Sequence, residues 1–292
     1  MKSTYKDISK SLKILAVSVT AAAALAAATA IVQAADMVAQ NDNLNATLWT
    51  QTSVEYKATA MGAYSLATVM LDKALADKNW TAADEQTGSY QDLPPAVILD
   101  VDETVLDNSD YQAWMVKNDK GFSSKTWDKY VKTMTSKAIP GSLAFTKYAD
   151  SKGVKVFYVS NRDAGEEEAT RKNLAALGYP MGGNVDTVLL KKEQKDWGSK
   201  KGSRRAVIAK DYRILLLIGD NFGDFVDAYH GSLAKRNATM AKYEDRWGKS
   251  WIAVANPTYG SWEAAPFGFN YKLSGDEKRK MKEDAMSSWN GQ

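Results

Sequence analysis

Four short apolar segments, each followed at once by polar or glycine residues, constrain the fold of this 292-residue chain more than any other feature. These segments are residues 96–99, 154–159, 187–190 and 214–218. Continuous apolar runs of this length are typical of strands that are buried on both faces of a parallel sheet. Helical patterns lie between them, at residues 143–151, 164–177 and 203–210. The alternation predicts an α/β fold with a doubly wound parallel sheet.

The first predicted strand ends in the most informative motif, Asp100-Val101-Asp102-Glu103-Thr104. Two carboxylates spaced by two residues leave a strand end on the same side. One of them can attack a phosphorus atom while the other donates a proton to the leaving oxygen. Their mutual repulsion favours a cation beside them. Acidic pairs also occur as ordinary loop or helix-capping residues, so this motif alone leaves both interpretations open.

Polar residues at the other strand ends fit the same chemistry, since ligands of such sheets bind at the carboxyl ends of the strands. Ser160 and Asn161 could hold a phosphoryl oxygen, or could cap the following helix. A lysine of the basic segment 200–205 could neutralise that group, or could belong to a solvated turn. Asp220 and Asp224 offer oxygen ligands for Mg²⁺, or could form a capped turn.

Composition excludes several other classes of function. The chain has no cysteine, which excludes thiol nucleophiles, disulfides and a lipid-modified cysteine anchor. Its single histidine, His230, would have to carry any triad or histidine-based mechanism alone. The net charge of +3 arises in the first 34 residues, and the remainder has 34 basic and 34 acidic residues. Net charge therefore does not favour a nucleic-acid polymer as partner.

The N-terminal region has the pattern of an export signal. Four lysines precede an uncharged, alanine-rich stretch, and Val32-Gln33-Ala34 suits a signal peptidase. We expect cleavage after Ala34, a soluble periplasmic or extracellular protein and no stable membrane anchor, whereas an uncleaved anchor is the alternative. Residues 35–292 are expected to form one domain, with a helical segment at 40–76 and an aromatic-rich insert at 107–140 that forms a small, mainly helical cap.

Together these motifs resemble those of the haloacid dehalogenase superfamily, and more closely those of the class C bacterial acid phosphatases. The segments that carry the resemblance are, in order, ILDVDETVLDNS at residues 98–109, VSNRD at 159–163, LKK at 190–192 with KGSR at 201–204 as the third motif, IGDNFGD at 218–224 and NPTYGSWE at 256–263. Lipoproteins of this class carry a cysteine after the leader, which this sequence lacks. The resemblance implies a haloacid dehalogenase-like Rossmannoid core.

The resemblance also implies a role for each motif. Asp100 would be the nucleophile and Asp102 the general acid and base. Phosphate would be held by Ser160, Asn161 and Lys201, although the spacing of the third motif leaves Lys200 as an alternative to Lys201. One Mg²⁺ per active site would be held by acids drawn from Asp100, Asp102, Asp220 and Asp224. Aromatic side chains would contact the substrate, with Tyr259 and Trp262 as first candidates and Trp127 and Tyr111 behind them.

The function implied is that of a Mg²⁺-dependent acid phosphatase that hydrolyses phosphomonoesters, with nucleoside monophosphates among the candidate substrates. The expected partner is a small phosphomonoester, and a homodimer is plausible by the same resemblance. A phosphotransferase using the same chemistry, or a catalytically silent surface binding protein, remains an alternative at this stage.

Overall fold

The computed structural model describes residues 42–291, so the expected signal peptide lies outside the described residues. The main sheet is built from β1 (Pro95–Leu99), β4 (Lys155–Asp163), β5 (Val188–Lys191), β6 (Arg213–Gly219) and β7 (Trp251–Ala253). These strands lie in the order β5-β4-β1-β6-β7, and every neighbouring pair is parallel. The predicted α/β fold with a parallel sheet is confirmed.

The strands are buried on both faces, which explains their unbroken apolar sequences. All seven residues of β6 are buried, and alternate residues of β1 contribute to different cores. Val97 and Leu99 pack into one core, whereas Ala96 and Ile98 pack into the other. Strand β7 was not predicted, because its three residues are too few to show a period. Its Trp251 is buried and donates its indole N–H to the Ala82 carbonyl at 2.7 Å.

Ten α-helices surround the strands within the described residues. They are α1 (Leu44–Thr52), α2 (Val54–Ala76), α3 (Ser109–Lys117), α4 (Ser124–Val131), α5 (Ser142–Ser151), α6 (Glu167–Leu177), α7 (Gly202–Asp211), α8 (Leu233–Ala241), α9 (Ser261–Ala264) and α10 (Gly275–Asp284). Between residues 42 and 291, none of these helices combines the length and apolar character that crossing a membrane requires.

Helix α2 supports the loop that follows β1. Ser53 caps its first turn by accepting a hydrogen bond from the Tyr56 N–H at 3.0 Å. Further along the helix, Tyr64 is buried in the core, and its ring centroid lies 5.9 Å from that of Phe145 in α5. The Tyr64 hydroxyl donates to the Thr104 carbonyl at 2.6 Å. Through this hydrogen bond, helix α2 anchors the backbone of the Asp100–Thr104 motif.

The insert at residues 107–140 contains α3, α4 and one strand of a two-stranded antiparallel sheet, which pairs β2 (Leu106–Asp107) with β3 (Lys137–Ala138). Its aromatic side chains pack on one another around Tyr111, whose ring lies 5.2–6.4 Å from four others. Those four are Trp114, Phe122, Trp127 and Tyr130. Aromatic packing around the buried Tyr111 thus contributes to the stability of this segment, although Phe122 at its margin is exposed.

Candidate active site

The carboxyl ends of β1, β4 and β6 bring the polar motifs together. Asp100 follows β1 directly, and its N–H donates to the Ile218 carbonyl of β6 at 2.9 Å. Its carboxylate is 8% exposed and accepts a hydrogen bond from the Lys201 ammonium. Burial raises the pKa of Asp100 to about 7, with Lys201 opposing the rise and Asp224 adding to it. The structure therefore places a shielded carboxylate beside a cation at the sheet edge.

Asp100, Asp220 and Asp224 form a group that we call the acid trio. One carboxylate oxygen of each lies within 4.8 Å of the others. Burial, together with the two neighbouring acids, raises the pKa of Asp220 well above its ordinary range. Three convergent carboxylates are the donor set that hard divalent cations prefer, so these residues fit such an ion.

Local structure explains how Asp220 and Asp224 reach this position. Asp224 ends a short 3-10 turn (Phe222–Asp224), and its carboxylate accepts the Asn221 N–H at 2.9 Å. Gly219 is required here, because a Cβ atom at that position would lie 2.3 Å from the Asp224 Oδ2 atom. Asp220 accepts hydrogen bonds from Asn256 at 2.8 Å and from Thr104 at 3.2 Å.

The two candidate lysines have different environments in the structure. Lys201 is 3% exposed, and its ammonium contacts Asp100 as well as Asp224, the latter at 2.7 Å. Lys200 is exposed. Lys201 immediately precedes α7, so the start of that helix turns its side chain inward while the preceding residue faces solvent. The lysine placed at the acid trio is therefore Lys201.

Asp102, the fourth acid predicted as a metal ligand, lies outside the acid trio, and its role towards a metal stays a prediction. Its Oδ1 atom accepts hydrogen bonds from the Arg162 Nε at 3.0 Å and from the Asn108 Nδ2 at 2.9 Å. Its other oxygen accepts from the Ser160 hydroxyl at 3.2 Å. The buried guanidinium attracts this carboxylate away from the three acids. The Ser160 hydroxyl links Asp102 to the end of β4, and proton transfer by Asp102 stays a prediction.

The two β4 residues predicted to hold phosphate have different environments. Ser160 is buried, and its hydroxyl also accepts the Arg162 N–H at 3.0 Å. Asn161 is exposed as a residue, but its amide is engaged at both ends. The amide nitrogen donates to the Ser199 carbonyl at 2.9 Å, and the amide oxygen accepts from Arg204 at 2.7 Å. In this arrangement the Asn161 side chain binds the segment that leads to Lys201.

The four candidate substrate aromatics are not equivalent in the structure. Tyr259 donates its hydroxyl to Glu103, the neighbour of Asp102. Trp127 presents its ring face to the Arg162 guanidinium at 5.6 Å from the ring centroid. Tyr111 is buried within the insert and its hydroxyl pairs with Thr126 at 2.8 Å, whereas Trp262 on α9 is 46% exposed. Contact with the substrate remains a prediction for all four.

Sequence reasoning assigned no role to several residues that shape this site. The partners of the acids are Thr104, Asn108, Arg162 and Asn256, and Glu103 anchors the loop. Glu103 is buried with a left-handed φ of 56°, which is uncommon for a residue other than glycine. Burial and the Asp102 charge raise the pKa of Glu103 to about 8. In the sequence, the only indication of a role for Glu103 was its position directly after Asp102 in the motif.

Comparison with known proteins places these features in a family. The model of the acid phosphatase family of haloacid dehalogenase subfamily IIIB matches residues 2–262. Two solved structures of the class C acid phosphatase from Bacillus anthracis are similar to this chain, each with a TM-score of 0.75. One is 37% identical over 85% of this chain and 98% of its own. The other, with tungstate bound, is 35% identical over 86% and 99%.

Two plant proteins are more distant relatives. The stem 28 kDa and stem 31 kDa glycoproteins of Glycine max are both 26% identical to this chain over 140 residues. These matches cover 46% of this chain and only about half of each plant protein, 54% and 47% respectively.

Proposed function

The chain belongs to the acid phosphatase family of haloacid dehalogenase subfamily IIIB, a family of phosphomonoester hydrolases, and we propose that it hydrolyses phosphomonoesters through a phosphorylated Asp100. One observation carries the proposal: the buried Asp100 carboxylate lies against Lys201 at the end of β1, within the acid trio. A carboxylate so placed can act as a nucleophile towards an anionic ester, because the ammonium offsets the repulsion between them.

In the first half-reaction an Asp100 oxygen forms a bond to phosphorus, and the bond from phosphorus to the ester oxygen breaks. Asp102 gives its proton to that departing oxygen, so an alcohol is released. In the second half-reaction Asp102 takes a proton from water, whose oxygen attacks phosphorus and frees Asp100. Throughout both steps Lys201 lies where it can offset the charge of the phosphoryl oxygens.

We propose Mg²⁺ as the divalent cation of the acid trio. Carboxylate oxygens are its usual protein ligands, and three of them converge here within 4.8 Å. Such an ion supplies charge neutralisation for phosphoryl oxygens when it is bound. Asp100, Asp220 and Asp224 would hold it.

The substrate class that we propose is small phosphomonoesters, with nucleoside monophosphates as candidates. Tyr259 and Trp127 support an aromatic leaving group, because each contacts a residue that adjoins a predicted catalytic motif. Tungstate bound by the Bacillus anthracis protein is a tetrahedral oxyanion like phosphate, which is consistent with a phosphate site in this family.

Export, cleavage after Ala34 and a homodimer are further proposals, which rest on the leader sequence and on the family resemblance. N-terminal sequencing of protein recovered outside the cytoplasm tests the first two, and a first residue other than Ala35 would contradict the cleavage site. Sedimentation at several concentrations tests the dimer.

The deciding experiment is phosphate release by protein from residue 35 onward. We expect release from p-nitrophenyl phosphate and a nucleoside monophosphate with Mg²⁺, loss of release in EDTA, and loss in Asp100→Asn. Circular dichroism of that variant checks that it is folded. Full activity in a folded Asp100→Asn variant would refute the mechanism.

A further inference from the structure

Arg204 occupies an unusual position in the first turn of α7. Its side chain is fully buried, and its guanidinium lies between the end of β4 and the segment that leads to Lys201. One terminal nitrogen donates to the Ser160 carbonyl. The other donates to the Asn161 amide oxygen at 2.7 Å and to the Gly198 carbonyl at 2.9 Å. The Arg204 guanidinium thus connects the end of β4 to the segment that leads to Lys201.

The partners of this buried cation are neutral oxygens. Burial, the largest influence, lowers the pKa of Arg204 to about 10. Its neighbour Arg205 is buried as well, but that guanidinium pairs with the Glu85 carboxylate at 2.7 Å. A buried charge without a carboxylate partner costs free energy relative to an apolar side chain of similar volume. Packing of α7 alone therefore does not explain an arginine at this position.

The two connected segments are those that carry the predicted phosphate ligands. On one side stands Ser160, whose hydroxyl contacts Asp102. On the other side the loop ends at Lys201, whose ammonium contacts Asp100. Asn161 adds a second link, because its amide nitrogen donates to the Ser199 carbonyl. A shift of either segment would change the separation between the Ser160 hydroxyl and the Lys201 ammonium.

We propose that Arg204 is a positioning residue that fixes the spacing between Ser160 and Lys201, and through it the affinity of the site for the phosphoryl group. The proposal rests on the proposed function. Arg204 itself contacts neither the acid trio nor Asp102 by hydrogen bond; it acts through the carbonyl and amide oxygens that it binds. A planar fork with several donors suits this task, whereas a lysine offers a single point charge.

The test compares Arg204→Lys with a matched control, Arg213→Lys. Arg213 is also buried and donates to a backbone carbonyl, that of Asp77, but it stands at the first residue of β6, away from the strand ends that form the site. For both variants we would measure the melting temperature, kcat and KM with Mg²⁺, and the inhibition constant of inorganic phosphate.

For Arg204→Lys we expect kcat/KM to fall roughly 100-fold, as is common when a catalytic group is misplaced by about 1 Å. The inhibition constant of phosphate should rise about tenfold, equivalent to ~1.4 kcal/mol of binding free energy. Arg213→Lys should lower the melting temperature, but its kcat/KM and its inhibition constant for phosphate should stay within about twofold of wild type. A loss of thermal stability at a distant position does not by itself change either constant.

If the wild type is active and Arg204→Lys leaves kcat, KM and the inhibition constant of phosphate unchanged, the Arg204 proposal is overturned while the proposed function stands. A wild type that neither hydrolyses phosphomonoesters nor binds phosphate would overturn the proposed function, and this proposal with it. If Arg204→Lys does not fold, Arg204→Gln takes its place, since it removes the buried charge and keeps an amide donor. Failure of both variants to fold would assign Arg204 to stability only and would also overturn the proposal.

Discussion

Replacing Lys201 with methionine removes the only ammonium that contacts two members of the acid trio, Asp100 and Asp224, within the described residues. Methionine has nearly the same length, so the change removes charge and hydrogen bonds more than packing. Both carboxylates would then remain buried without their cationic partner. The variant therefore separates the electrostatic role of Lys201 from its role as a filler of space.

The expected loss of stability is large. Removing one partner of a buried ion pair costs about 3–5 kcal/mol, because the remaining charge is left uncompensated. In a protein of this size, that corresponds to a fall in melting temperature of roughly 6–20 °C. The loss should be smaller at about pH 5 than at about pH 8, since protonation relieves a buried carboxylate whose pKa is already raised to about 7. Mg²⁺ should restore part of the stability at the higher pH.

Activity should fall about 100- to 1000-fold, the usual cost of removing one charge-stabilising donor. Thermal unfolding in EDTA and in Mg²⁺, with kcat on p-nitrophenyl phosphate, measures both effects. Lys200→Met is the matched control: its side chain is exposed, so stability should change by no more than about 0.5 kcal/mol and activity should persist. Equal effects of the two variants, or a larger effect at Lys200, would refute the reasoning.

Two further predictions follow from the buried acids. The folded-state pKa of Asp100 lies near 7, above its unfolded value of about 4, so its contribution to stability is complete below about pH 4 and is lost as the pH rises through 7. Mg²⁺ should therefore raise the melting temperature more at about pH 8 than at about pH 5, and an equal rise at both would contradict this. Tyr259→Phe should cost about 1–3 kcal/mol in urea unfolding, because the buried Glu103 loses its hydroxyl partner. Trp262→Phe is the control, and its half-exposed side chain should change stability by no more than about 0.5 kcal/mol; a loss as large as that of Tyr259→Phe would contradict the assignment.

The sequence predicted four of the five strands of the main sheet, and the reason is burial on both faces. A strand such as β6, with every residue buried, must be apolar without interruption, and such a run is visible in the sequence alone. Strand β7 has only three residues, the last of them exposed, and it lies at one end of the strand order, so it could not be distinguished from a loop. The acidic residues at the ends of β1 and β6 were predicted for a related reason, since polar groups that directly follow buried strands meet at one sheet edge.

Partners of these acids could not be predicted, because they come from distant parts of the chain. Asp102 and Asp100 are two residues apart, yet their carboxylates have different partners: Arg162 for one and Lys201 for the other. The spacing of the two acids predicts that both lie on the same side of the strand end. It does not predict their cationic partners, because Arg162 is 60 positions from Asp102 and Lys201 is 101 positions from Asp100. The sequence therefore could not show that Asp102 pairs with Arg162 outside the acid trio.

Basic residues were the hardest to interpret. A run such as residues 200–205 has the composition of a solvated turn, yet three of its four basic residues, Lys201, Arg204 and Arg205, are buried and face different oxygens of the site. Their burial follows from the start of α7, because positions spaced by three and four residues lie on the same face of a helix. Charge alone predicts exposure, and only the position of the helix start determines which cations turn inward. Arg204 was left unassigned in the sequence for this reason, yet it connects the end of β4 to the segment that leads to Lys201, so it is the sharpest test of how this site is held together.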